Sequence, residues 1–131
     1  AEFGISREEL ERTRPAPTCL AYTSYLLRVA YEGEAATLLA ALLPCSWGYA
    51  EIGQRLMARG LPPVAHYAKW IETYASNEYQ EIVSWLRTLF DEAAKDARGA
   101  LHARLQEVFA TSSRWEYLFW EMAWKVEAWP V

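Results

Sequence analysis

Leu43-Pro44-Cys45-Ser46-Trp47-Gly48-Tyr49-Ala50-Glu51 lies inside a run, residues 34–59, whose apolar positions recur at helical spacing and whose one strong internal breaker is Pro44. Proline has no N–H to donate, and its ring crowds the carbonyl four residues back. Pro44 is therefore expected to bend this helix and loosen its ladder near Ala40. Cys45 follows on the bend. Tyr49 comes four residues later, on the same face, and Gly48 between them carries no side chain to close the space above the sulfur. Gly60 ends the run, and Leu61-Pro62-Pro63 forces an extended connection.

The flanking segments read the same way, with no β-alternating run and no internal repeat. Ser6-Arg7-Glu8-Glu9 has the form of a capping box opening a short helix that Pro15 and Pro17 terminate. Thr18 can cap a helix over residues 18–32, with Cys19, Tyr22, Leu26 and Val29 on one face and Gly33 at its end. Residues 64–74 make a shorter helix. Ser76 caps the next, whose stripe is Tyr79, Ile82, Val83, Leu86, Phe90 and Ala93, with Gly99 marking its end. Residues 100–128 are helical in pattern, but Thr111-Ser112-Ser113 offers a break, a kink or a new cap, so one helix or two remain open. The expectation is an all-α bundle of five or six helices forming one domain over residues 1–131, with antiparallel neighbours because the connections are short.

Composition narrows the function. At 131 residues with 53% apolar and 23% charged residues, the chain suits one core rather than disorder. No apolar run approaches the roughly 18 residues of a membrane span. A formal charge of −4 without a Lys/Arg cluster argues against nucleic acid or anionic lipid as partner and leaves small molecules or proteins. With only Cys19 and Cys45 and no secretory signal in view, two free thiols in a reducing cytoplasm are the default, a Cys19–Cys45 disulfide the alternative. Seven Trp and eight Tyr exceed what core filling requires, so some are expected to line a pocket.

Each candidate group has a plain reading beside a chemical one. A helical cysteine is commonly inert and buried; the preceding proline and Tyr49 favour a nucleophile at Cys45, whereas Cys19 lacks such a setting. Ser113-Arg114-Trp115-Glu116 fits a capping box in which Glu116 merely returns to a backbone amide. Alternatively Glu116, off the Trp115/Leu118/Met122/Val126/Trp129 stripe and one turn from Phe119, serves as an acid or base. Tyr22, Tyr49 and Tyr74 are either core residues or aromatic walls for a flat heterocycle, and spacing does not bring them together. His66 and His102 have no carboxylate or thiol at metal-ligand spacing, so neither a metal nor any other cofactor is expected. No phosphate-cradling glycine loop and no G-x-S-x-G occur.

Ala40-Ala41-Leu42-Leu43-Pro44-Cys45, followed by Trp47 and by Tyr49 to Glu51, resembles the cysteine motif of the TenA family, the thiaminase II enzymes. Tyr22-Thr23-Ser24, Tyr67, Trp70-Ile71-Glu72-Thr73-Tyr74, Phe109 with Ser112, and Glu116-x-x-Phe119-Trp120-x-Met122-Ala123 extend the resemblance in the family's order. The resemblance implies the haem-oxygenase-like helical fold and hydrolysis of the C–N bond of thiamin or an aminomethylpyrimidine, as in thiamin salvage. It implies Cys45 as nucleophile, Glu116 as acid/base, and Tyr22, Tyr49, Tyr74 and Phe119 as walls around an aminopyrimidine ring. It extends to the C-terminal part of the family's domain only. The family's first helices, which supply an aspartate and a further tyrosine, have no counterpart among these residues. The expectation is therefore an incomplete domain that forms a homo-oligomer or takes up a complementing N-terminal half. The alternative is a non-catalytic helical module that binds a pyrimidine ligand or a protein partner.

Overall fold

The computed structural model describes residues 3–131, which form six helices in the order α1 Arg7–Arg12, α2 Pro17–Glu32, α3 Ala35–Ala58, α4 Ala65–Ala75, α5 Asn77–Ala94 and α6 Gly99–Lys125. The all-α expectation holds. Ser6 and Glu9 make the reciprocal capping box at α1, and Ser76 accepts from the Tyr79 amide to cap α5.

The central element is α3, which packs against α2, α4, α5 and α6. Ala36, Ala40 and Ala41 lie buried along it, and their small side chains let α2 and α6 come close, closing a core with Val29, Leu105, Val108 and Ala97. Length and hydropathy would allow this helix to cross a membrane, its mean hydropathy over 18 residues being 1.2, which corrects the expectation that no such run exists. Within the fold it is the helix around which the others pack. The helix is continuous through Pro44, which is buried.

Three sequence expectations shift. Pro17, not Thr18, opens α2, because proline at the first helical position gives up only an N–H that would be unpaired there. Thr18 instead donates its N–H and its hydroxyl to the Glu127 carboxylate at 2.9 and 3.1 Å, so an anion from the far end of the chain caps this helix. Trp129 Nε1 fastens the same junction by donating to the Pro15 carbonyl. Second, α5 ends at Ala94 and Gly99 begins α6. Third, α6 is a single helix through Thr111-Ser112-Ser113 and stops at Lys125, with Val126 in the left-handed region at φ 51°. Thr111 and Ser113 turn their hydroxyls to Glu107 and to the Phe109 carbonyl one turn back, which keeps them compatible with a helix interior.

Candidate active site

Continuity of α6 decides the role open to Glu116. Ser113 is inside the helix, so no capping box forms there, and the Glu116 side chain projects toward α2 and α3. Its Oε1 accepts a 2.6 Å hydrogen bond from the phenol of Tyr22, a buried residue of α2. On α3, Cys45 is half-buried and its thiol faces the same carboxylate, close enough to feel its charge. Burial, and then the Glu116 charge, push the Cys45 thiol up to about 12, so the sulfur is protonated at neutral pH. Both cysteines are free, which excludes the Cys19–Cys45 disulfide.

Tyrosines surround this pair. Tyr49, one turn beyond Cys45, packs its ring against Tyr74 at 4.9 Å, Trp120 at 5.6 Å and Trp70 at 5.7 Å. Tyr74 on α4 also meets Tyr79 edge-on at 4.9 Å and 87°. Burial first, then Glu116, hold the Tyr22 and Tyr49 phenols well above the usual tyrosine range, and burial with Cys45 raises Tyr79 to about 12. Neutral phenols, one carboxylate and one protonated thiol thus share an apolar surround. An open groove of about 520 Å³ adjoins them, lined by Pro44, Trp47, Gly48, Glu51, Phe109 and Glu116. Gly48 keeps that wall low: a Cβ there would meet nothing within 4 Å.

Close approach of α3 and α4 makes the aromatic wall possible. Gly53 is buried against Tyr74, where an added Cβ would stand 2.8 Å from the Tyr74 carbonyl carbon. Of the residues singled out from sequence, Cys45, Glu116, Tyr22, Tyr49 and Tyr74 come together. Phe119 is half-buried one turn past Glu116, while the α6 aromatic that lines the groove beside Glu116 is Phe109. Sequence reasoning placed Tyr79 in a packing stripe and gave Trp70 and Trp120 no part in the site; the high aromatic content was the signal for them, but helical spacing does not say which rings meet. Among the described residues no three His, Cys, Asp or Glu side chains gather to hold a metal ion.

The profile of the TENA/THI-4/PQQC family matches residues 1–126. The chain belongs to this family. It is 46% identical over 130 residues to the aminopyrimidine aminohydrolase of Halalkalibacterium halodurans, covering 97% of this chain and 57% of that one. It is 40% identical over 125 residues to the aminopyrimidine aminohydrolase of Bacillus subtilis, covering 95% and 52%. Among solved structures, the TenA homologue from P. horikoshii OT3 superposes with a TM-score of 0.84 at 36% identity, over 95% of this chain and 57% of its own. The helical fold is therefore that of TenA proteins, and the chain spans about half the length of the curated TenA relatives it matches.

Proposed function

We propose that this chain carries the thiol–carboxylate part of an aminopyrimidine hydrolase site, acting on thiamin or an aminomethylpyrimidine. The observation that carries the reading is Glu116 accepting from the Tyr22 phenol and standing beside the Cys45 thiol, at the edge of a groove whose aromatic lining is Trp47 and Phe109. The names of the bacterial relatives support the substrate class.

In this reading Cys45 adds to an electron-poor carbon of the pyrimidine ring while Glu116 takes the thiol proton. That step suits a thiol which is protonated at rest with a carboxylate beside it. With an aminomethylpyrimidine, Glu116 then returns the proton to the departing amine as the C–N bond at the methylene carbon breaks; the thiazole of thiamin leaves as a neutral ring, and Glu116 releases its proton to water instead. Water adds its hydroxyl to the methylene carbon, and its proton passes to the sulfur as the sulfur–ring bond opens, which restores the thiol. Tyr22, Tyr49, Tyr74 and Phe119 are proposed to bound the ring, and no cofactor enters. We also propose a cytoplasmic setting, which would keep both thiols reduced, and association with a second copy or with a complementing N-terminal half.

The deciding experiment incubates the chain with thiamin and with an aminomethylpyrimidine and follows release of the hydroxymethyl product, for wild type and Cys45→Ser. Loss of turnover in Cys45→Ser with unchanged helical circular dichroism supports the nucleophile. Ligand binding without product, together with Cys45 alkylation no faster than that of an ordinary thiol, would favour the non-catalytic module instead.

A further inference from the structure

The first turns of α5 join the thiol to the aromatic wall. Tyr79 donates its hydroxyl to the carbonyl of Ser46, the residue after Cys45, at 3.3 Å. Its ring stands edge-on to Tyr74, an arrangement that sets the positive edge of one ring against the negative face of the other. Next to it, Gln80 donates Nε2 to the Tyr74 carbonyl at 2.9 Å. Ser76 fixes the start of α5 by capping it. Helices α3, α4 and α5 are thereby tied at one point, beside the sulfur.

We propose that Tyr79 is a positioning residue for this site: its hydroxyl and ring lock the Cys45 segment of α3 to Tyr74, holding thiol and ring wall in register. The proposal rests on the aminopyrimidine reading of the same site. The groups facing Cys45 are Glu116 from α6, Tyr22 from α2, Tyr49 on α3 and Tyr79 from α5, with Tyr74 of α4 behind Tyr49 and Tyr79. Removing the Tyr79 hydroxyl frees the Ser46 carbonyl for water and is expected to admit water beside the adjoining Cys45. Desolvation is the first cause of the raised thiol, so admitting water lowers it.

The test follows alkylation of Cys45 against pH on the full chain, by iodoacetamide with peptide mapping so that Cys19 is read separately. Tyr79→Phe is compared with wild type and with Tyr25→Phe. Tyr25 donates its hydroxyl to the Val108 carbonyl, also at 3.3 Å, so its loss is the same kind of bond removed elsewhere. The expected result is an alkylation midpoint lowered by about half a pH unit or more in Tyr79→Phe and unmoved in Tyr25→Phe. With turnover in hand, kcat falls about tenfold in Tyr79→Phe while KM changes less. An unchanged Cys45 profile in Tyr79→Phe, or an equal shift in Tyr25→Phe, overturns the proposal. Absence of turnover in wild type would count against the aminopyrimidine reading, and the alkylation profile would still decide the role of Tyr79.

Discussion

Glu116 accepts from the Tyr22 phenol at 2.6 Å and stands beside the Cys45 thiol, and the proposed chemistry follows from that placement. Glu116→Gln keeps an oxygen that can accept but removes the charge and the proposed base. Turnover in a competent enzyme is expected to fall by about 100-fold or more. Stability should change by no more than about 1 kcal/mol, since the amide can still pair with Tyr22. Steady-state kinetics and urea unfolding on the same samples separate the two. Burial of the site, with the Glu116 charge adding to it, also sets a pH dependence. Cys45 rises from 9.0 to about 12 in the folded chain, and the Tyr79 phenol likewise rises from 10.0 to about 12. Each group holds its proton more tightly folded than unfolded, so the stability it contributes is complete below pH 9 and is lost as pH rises toward 12. Denaturation midpoints should therefore decline between pH 9 and 12, and Cys45→Ala should decline less steeply; parallel curves would remove the thiol from this account.

Two glycines of α3 set how its neighbours meet it, in opposite ways. Gly53 admits the α4 backbone, and a Cβ there would lie 2.8 Å from Tyr74 Cβ and 3.0 Å from the Ala75 nitrogen, backbone that cannot step aside singly. Gly53→Ala is expected to cost about 1–3 kcal/mol and to displace Tyr74 from Tyr49, read by chemical denaturation and near-ultraviolet circular dichroism. Gly48 faces the groove with open space around it. Gly48→Ala should raise stability by about 0.5–1 kcal/mol through helix propensity, while narrowing the groove beside Glu116. A destabilised Gly48→Ala would mean that the groove wall is packed rather than open.

The molecule presents much apolar surface. Tyr31 on α2, Trp85 on α5 and Trp124 on α6 are 89%, 62% and 84% exposed, and Leu27 and Ile82 are more than half exposed. Each Å² of apolar surface kept in water costs about 25 cal/mol, and contiguous patches beyond a few hundred Å² are rare on monomers. We expect the isolated chain to associate with itself, or with a chain supplying the part of the relatives' length that it does not span. Light scattering with and without such a chain, together with the hydrolysis assay, checks this. A monodisperse monomer that is fully active without a partner would show that no further surface is needed.

The helices were legible because local physics makes them: the Ser6 and Ser76 caps, the apolar period of α3 and the Pro62-Pro63 break act within one or two turns of chain. The pairing of Cys45 with an acid was legible only by resemblance, as residues 71 apart along the chain carry no spacing signal. Tertiary packing decided the rest. A Ser-x-x-Glu pattern is compatible with a cap and with a helix interior; burial of Ser112 against the bundle and the hold of Tyr22 on Glu116 selected the interior. Thr18 lost its capping role to Pro17 and Glu127 because a carboxylate from the other end of the chain reached the helix start. Which of eight tyrosines meet at the thiol depended on how closely α3, α4 and α5 approach. That approach is set by Gly53 and by the Tyr79–Ser46 bond, both of them contacts between helices that the period of any one helix does not contain.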